Sequence, residues 1–458
     1  MLVYAGNKMM KIQRKNSGMD MLRGSLLGNI IRFALPLAGS SMLQQLFNAA
    51  DTAIVGRFDG RQALAAVGSN TMVISLFVNM FVGLSIGANV VIAKYVGQRQ
   101  EEKIKKSVHT VMFLAVLSGL FLLVFGQMTA EKILTLMQTP EDVMAQAVLY
   151  LKIYCLGMPF MMVYNFGAAV LRCKGDTRCP LYALILSGIL NVGLNLLFVV
   201  AFKMGVAGVG IATVIANGVS GSFVCCFLMQ EKGSMHLSVK AMQLDKKYLK
   251  EVLQVGIPAG IQGMCFSVAN VCIQSAVNCF GAEGSAGFSI ALTFESLTYY
   301  ISNAFGQAAV TFTSQNYSVG NIKRCRQIFN WCLLLGGVLC ESISLLFVAG
   351  HRWLIPFFTS DAGAAAYALI RMQRVVAFNG MTAGYEVGSG LLRAMGHSLQ
   401  PALLVVVGCC GFRILWILTA FRRIGTFEIL MNAYPLSWLV TDILIFVTYK
   451  YYITISTH

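Results

Sequence analysis

The chain has 458 residues, 57% hydrophobic and only 12% charged, where an ordinary soluble domain is about 45–50% apolar and about 25% charged. That balance excludes a soluble globule, and at about 20 residues per crossing it asks for many membrane spans rather than one anchor. The 35 Lys and Arg outnumber the 19 Asp and Glu for a net charge of +16. The bases lie in short gaps between apolar runs instead of on one folded patch, so nucleic acid is not an expected partner.

In chain order, residues 1–25, with Lys8, Lys11, Arg14 and Lys15, read as a cytoplasmic tail. The apolar run that follows is too long for a signal-peptide core and has no small-residue cleavage site. Twelve apolar stretches then succeed one another, near 26–55, 63–92, 107–128, 145–171, 180–202, 206–230, 249–280, 285–313, 327–350, 365–392, 401–421 and 428–450, each long enough to cross a bilayer as a helix. With the N-terminus inside, 23 Lys or Arg fall on the cytoplasmic side, counting Lys250 and Lys450 at the span ends, 7 on the opposite side (Arg57, Arg61, Lys132, Lys203, Arg352, Arg422, Arg423) and 5 within spans. This bias supports the count and the orientation. The 13 cysteines sit mostly inside apolar runs (Cys225, Cys226, Cys409, Cys410) without CxxC pairs, which points neither to a disulfide framework nor to zinc.

At an offset of 221, Leu171, Arg172, Gly175 and Pro180 meet Leu392, Arg393, Gly396 and Pro401, so L-R-x-x-G-x-[ST]-x-x-P occurs twice. At an offset of 222, Pro36 meets Pro258 and Asn48 meets Asn270. The chain is therefore read as a duplicated six-helix unit: an N-lobe over 26–230, a cytoplasmic linker over 231–248, a C-lobe over 249–450 and a cytoplasmic tail over 451–458. An even helix number returns the chain to its starting side, so the halves are parallel repeats about an axis normal to the membrane. The expected fold is all-α, with twelve transmembrane helices in two lobes and a central cavity between them.

Ionisable side chains near the bilayer centre cost on the order of 2.5–3.5 kcal/mol and usually face protein or water. On the first helix Gln44, Asn48 and Asp51 fall at i, i+4 and i+7, on one face. Asn191 and Asn195 are four apart on the fifth helix, as are Thr213 and Asn217 on the sixth. Together these stripes can line one hydrated pocket, or the amides and hydroxyls can serve only to hold helices together. The second half repeats Asn270, Gln274 and Asn278 on its first helix but has Ile273, Phe412 and Trp416 where the first half has Asp51, Asn191 and Asn195. An ion-handling site is thus expected to be lopsided. The C-terminal half carries Glu295, Glu341, Glu386, Arg413 and Asp442; either Arg413 pairs with one of these acids, or Glu295 faces the cavity and attracts cations.

Two other matches carry no chemistry. Gly83-Leu84-Ser85-Ile86-Gly87 fits G-x-S-x-G but lies inside an apolar helix, not on a strand-to-helix turn. Gly205, Gly208 and Gly210 have no βαβ unit around them. No GxxxxGK[ST] loop is present, and His109, His236, His351, His397 and His458 show no ligand spacing. An enzyme, a cofactor or a metal catalyst is not expected.

These residues resemble the multidrug and toxic compound extrusion (MATE) transporters, in their DinF-like branch. The resemblance covers about residues 26–450. Its carriers are Pro36, Asp51-Thr52-x-x-Val55-Gly56, Ala63-Leu64-Ala65-Ala66-Val67-Gly68, the twin Leu-Arg-x-x-Gly segments, Gln315-Asn316 and Tyr434-Pro435-x-Ser437-Trp438. It implies two lobes that open outward and inward in turn, exporting cationic or amphipathic compounds against inward H⁺ or Na⁺, with the cation site in the N-lobe. Asp51 matches the family's helix 1 acid, Asn191 its helix 5 Asn and Thr213 its helix 6 hydroxyl. Asn195 stands where many relatives carry a second Asp, and Phe266 about where the NorM-like branch has an acid.

The expected function is a secondary antiporter in the cell membrane, acting as a monomer on small organic substrates, with both termini cytoplasmic and H⁺ or Na⁺ as coupling ion. Asp51, Asn48, Asn191, Asn195 and Thr213 are its candidate coupling residues, Asp51 being the place for Na⁺ if that is the ion. Gln44, Asn270, Gln274, Glu295 and Glu386 are its candidate cavity residues. The alternative is a flippase for lipid-linked precursors, which requires a strongly cationic cavity.

Overall fold

The computed structural model describes residues 19–455 apart from Gln138 and the side chain of Arg61. The basic stretch with Lys8, Lys11, Arg14 and Lys15, and the last three residues of the chain, lie outside the described residues. Each predicted stretch holds one membrane helix. They are α1 (Leu26–Phe58), α2 (Gly60–Gly97), α3 (Glu101–Leu136), α4 (Glu141–Leu156 with Met158–Cys173), α5 (Arg178–Ala201), α6 (Gly205–Gln230), α7 (Lys246–Val277), α8 (Gly281–Tyr317), α9 (Ile322–Ala349), α10 (Ala362–Arg374 and Thr382–Ala394), α11 (Leu399–Ile424) and α12 (Phe427–Ile455). With 38 residues, α2 is roughly 57 Å long at about 1.5 Å per residue. That exceeds a hydrocarbon core of about 30 Å, so its ends stand outside the apolar slab.

Two helices that the sequence presents as unbroken are interrupted, and at equivalent places in the two halves. α4 bends by 46° at Gly157, where Pro159 brings no backbone donor to the new first turn. α10 passes through a 3-10 turn at Val376–Met381. Side chains from neighbouring helices satisfy the polar groups around it: Asn379 donates to Thr298 Oγ1 (2.5 Å) and to the Glu295 carbonyl (2.9 Å), and Gly380 N–H donates to the Glu341 carboxylate (2.8 Å). Glu341 is thereby accounted for by a helix break. Backbone that leaves its helix inside a membrane needs such partners.

The repeated L-R-x-x-G segment is a helix stop. Gly175 (φ +87°) and Gly396 (φ +94°) take the left-handed conformation that glycine alone adopts at little cost. In each case two backbone bonds close the end, Gly175 N to Arg172 O with Asp176 N to Leu171 O, and Gly396 N to Arg393 O with His397 N to Leu392 O. This is the Schellman arrangement. The following Pro180 and Pro401 sit in the first turn of the next helix, where a missing N–H does no harm.

Two bodies of packed side chains result. One runs from Ile54 and Val55 through α2–α6 to Tyr248 and Val252 at the start of α7. The other holds residues of α8, α9, α10 and α12, and it takes in Met21, Leu26, Ile30, Phe33, Ala34 and Leu37. The first helix of each half thus begins among the helices of the other half. Met21 shares its cluster with Tyr449 and Ile453, so the two described ends of the chain lie on one face, called here the terminal face.

The halves meet along α2 and α7, where Gly83 and Gly87 face Gly256 and Gly260. A Cβ on Gly83 would lie 2.1 Å from Gly260 N, and one on Gly87 would lie 2.4 Å from the Val252 carbonyl. These two G-x-x-x-G pairs let backbones touch, the usual role of small residues between membrane helices. That is the purpose of the G-x-S-x-G string. Gly208 and Gly210 likewise admit Phe198 and Ile153.

Toward the terminal face the seam tightens with polar bonds between the halves. Asn89 accepts from Thr311 Oγ1 (3.0 Å), Gln315 donates to the Cys173 carbonyl (2.8 Å), and Gln98 donates to the Ser318 carbonyl (3.3 Å). Tyr95 Oη reaches both oxygens of Glu251 (2.8 and 2.9 Å), which Lys94 also approaches at 3.4 Å. The gap between the halves is closed at this end.

Candidate cation and substrate site

The far half of α1 lies on α5. Gly188 leaves a notch that the Phe47 ring fills, since a Cβ there would come within 1.8 Å of the ring. This fixes the rotation of α1, and one turn beyond Phe47 it brings Asp51 opposite Asn195. Asn195 is fully buried and Asn191 nearly so. Asn195 Nδ2 donates to Asp51 Oδ1 at 2.5 Å and lies 3.3 Å from Asn191 Oδ1. The Thr213 hydroxyl on α6 donates to the Val209 carbonyl at 2.9 Å. Asn195 is the last residue before a π-helical turn, Leu196–Ala201, a feature often found at functional positions.

The carboxylate is half-buried, so it keeps a way out of the protein while the Asn195 amide donates to it. The carbonyl oxygen of the Asn195 amide is buried without a partner. A carboxylate beside side-chain amides suits a hard monovalent cation as well as a proton on Asp51. Among the described residues no three His, Cys, Asp or Glu side chains gather as a metal centre.

α4 adds Tyr150 and Tyr154, whose rings are 6.0 Å apart. Sequence reasoning missed them. Their i, i+4 spacing on an apolar helix was the available signal, but it is shared by ordinary core aromatics.

Other expected members are placed elsewhere. Asn48 and Gln44 are exposed, and Asn48 makes its bond through its backbone carbonyl, which accepts from Thr52. One turn from Asp51, Asn48 is rotated by about 60° at 100° per residue, enough to turn its amide away from α5. Asn217 approaches Gly157 at the bend of α4. The neighbour Gln45 reaches across to the other half, its Oε1 accepting from Tyr300 at 3.2 Å. Asn270 is exposed, and Gln274 donates to Asn278 (3.1 Å).

Glu295 corrects the expectation of a free carboxylate facing the cavity. It forms an ion pair with Arg371, a fully buried side chain whose guanidinium lies 3.6 Å from the Phe288 ring centre. A neutralised acid of this kind offers little attraction to a cation. Nor does Arg413 supply the partner. Its Nε donates to Ser437 Oγ (3.1 Å), and its guanidinium stacks 4.2 Å from the Tyr434 ring centre. Arg371, within α10, was the unrecognised cation of this lobe.

Glu386 accepts from Tyr299 Oη (2.8 Å) and Asn303 Nδ2 (3.4 Å). Two turns on, Arg393 donates to Gln262 Oε1 at 2.6 Å. Asp442 packs against Gly384. Phe266, in place of an acid, lies beside the Tyr385 ring at 6.3 Å.

A family model described as MatE matches residues 36–197 and again 258–419, the second match beginning 222 residues after the first. The probable multidrug resistance protein YoeA of Bacillus subtilis is 27% identical over 433 residues, covering 92% of either chain. The probable multidrug resistance protein NorM of Thermotoga maritima is 25% identical over 382 residues, covering 82% of either. Among solved structures, the outward-facing conformation of a multidrug resistance MATE family transporter of the MOP superfamily superposes with a TM-score of 0.89 at 20% identity. That superposition covers 96% of this chain and 98% of the other. A MOP superfamily transporter from Pyrococcus furiosus gives 0.89 at 19% identity, with 96% and 99% covered.

Proposed function

The chain belongs to the MatE family of multi-pass membrane transporters and is not an enzyme, and from that premise we propose that it is a multidrug efflux antiporter in which cation binding at Asp51 drives export of organic compounds. The single observation that carries this reading is the Asp51–Asn195 contact between α1 and α5. It is an ionisable group within a membrane, bonded to an amide and still half-exposed, the setting in which such residues handle ions. The relatives named as multidrug resistance proteins support small organic molecules as cargo.

Coupling follows from where α1 lies. Its first turns pack with α8 and α9, Phe33 meeting Phe312 edge-on at 5.5 Å, while its last turns hold Asp51 against α5. Pro36 sits inside the helix near the change of partner, a point of weakness because it removes one backbone bond. A proton or Na⁺ on Asp51 removes the negative charge that the Asn195 N–H stabilises. The energy balance between the two packings of α1 then changes, and the lobes rock. A cation site in the N-lobe is what the MATE resemblance implies, and Asn195 leaves it one carboxylate where many relatives carry two.

In this reading the terminal face is cytoplasmic, both termini lie inside and the transporter opens outward. The bias of Lys and Arg toward that side supports it, as does the closed seam there. The flippase alternative gains nothing from the cavity electrostatics: Arg371, Arg393 and Arg413 are buried against Glu295, Gln262 and Ser437.

Reconstituted vesicles with separately imposed H⁺ and Na⁺ gradients test the proposal through uptake of a fluorescent organic cation. Uptake that follows one gradient and disappears in Asp51→Asn supports it. Uptake that ignores both gradients overturns it.

A further inference from the structure

The residues that lead into α1 cross the terminal face from one half of the molecule to the other. At one end, Met19 N–H donates to the Lys174 carbonyl (3.2 Å), and the Met19 side chain covers Gly175 so closely that a Cβ on that glycine would lie 2.6 Å from Met19 Cβ. This end rests on the α4–α5 turn of the N-lobe. Two residues on, Met21 is 1% exposed and sits in the cluster built by α8 and α9. Its carbonyl accepts from Asn316 Nδ2 (3.1 Å) and Arg324 Nε (3.2 Å). The guanidinium of Arg324 also donates from NH2 to the carbonyls of Arg23 and Gly24, both at 3.2 Å. Asp20 tightens the segment by accepting from Leu22 N (2.9 Å) and Arg23 N (3.1 Å).

We propose that residues 19–24 are a strap that holds the two lobes together on the terminal face and must release its Met19 end before that face can open. A segment that touched one lobe would ride with it and oppose nothing. This one is bound to both, and unequally. Three carbonyls are held by Arg324 on the C-lobe, two of them through one charged donor group, and hydrogen bonds to charged groups are the stronger kind. The N-lobe end has one backbone bond and the Met19 side chain over Gly175, joined there by the Met21 methyl, while Met19 also touches the C-lobe cluster. The weak end is the release point, and the strap travels with α8, α9 and the first turns of α1.

Among the described residues, the second half has no such contact at the equivalent helix stop. Its equivalent glycine, Gly396, has nothing within 4 Å of where a Cβ would stand. The strap is therefore an addition to one side of a duplicated frame. It also gives the Gln315-Asn316 pair a purpose: Gln315 bonds the Cys173 carbonyl across the seam, and the adjacent Asn316 bonds the strap.

The proposal rests on the rocking-lobe reading above, and one set of vesicles separates the two. Met19→Cys with Lys174→Cys is oxidised with copper phenanthroline, alongside each single variant to control for native thiols. Export is measured before and after reduction. In parallel, Ser318→Cys at the seam is labelled with a membrane-impermeant maleimide from the terminal side. The cross-linked protein is expected to lose at least tenfold in export rate and regain it on reduction. Arg324→Gln is expected to raise Ser318→Cys labelling several-fold. If the cross-link does not form, if the linked protein exports at the reduced rate, or if Arg324→Gln leaves labelling unchanged, the strap is refuted. If labelling of Ser318→Cys never responds to substrate or gradient in the otherwise unaltered chain, it is the rocking-lobe reading that fails.

Discussion

Asn195 Nδ2 donates to Asp51 Oδ1 at 2.5 Å, a bond between residues 144 positions apart that ties the far half of α1 to α5. Asn195 cannot exchange a proton, so all titration at this contact belongs to Asp51. Asp51→Asn is expected to abolish gradient-driven accumulation while leaving the protein folded, because the amide still bonds Asn195. Asn195→Asp adds a second acid beside the first, and like charges this close raise the pKa of one of them. The pH or Na⁺ dependence of transport is then expected to shift, as read from initial uptake rates across a pH series. Asp51→Asn vesicles that still concentrate substrate would place the coupling site elsewhere.

Glu295 and Arg371 test the corrected role of the C-lobe acid. Removing one partner of a buried ion pair costs about 3–5 kcal/mol because the other charge is stranded. Arg371→Met is therefore expected to lower the unfolding temperature sharply, and Glu295→Gln to do so as well. The double variant is expected to recover much of the loss. Binding of cations and of neutral compounds should fall together in Glu295→Gln; a selective loss for cations would restore Glu295 as a cavity residue.

The α2/α7 seam gives a prediction about conformation. At Gly83 any side chain meets the Gly260 backbone, and backbone cannot swing aside as a rotamer can. Gly83→Val is expected to force the helices apart at a cost of about 1–3 kcal/mol. The protein should leave the state that is closed on the terminal face, seen as faster alkylation of a cysteine placed at Ser318. Gly68→Val, with nothing within 4 Å of its Cβ position, is the control.

The two helix stops differ in what surrounds them. Gly396→Ala meets open space and pays only for left-handed backbone, about 1–2 kcal/mol. Gly175→Ala carries the same strain and also strikes Met19. Thermal unfolding in detergent should rank Gly175→Ala below Gly396→Ala; equal losses would show that Met19 moves away without cost.

The number of helices, their all-α character and the duplication were legible in the sequence because each rests on local information. Apolar length defines a span, and a repeated stop such as L-R-x-x-G survives as a string. The shared face of Asn191 and Asn195 followed from helical period alone. Which charges meet was not legible. Glu295 finds Arg371 across 76 residues rather than Arg413, and Asn48 turns away from Asp51, because such contacts depend on the rotation and crossing of whole helices. Those are set by features visible only in three dimensions: Phe47 filling the notch at Gly188, Gly83 lying on Gly260, and α1 beginning in the packing of one lobe and ending in that of the other. Hydrophobic pattern determined what enters the membrane, and side-chain packing decided which polar groups share a site there.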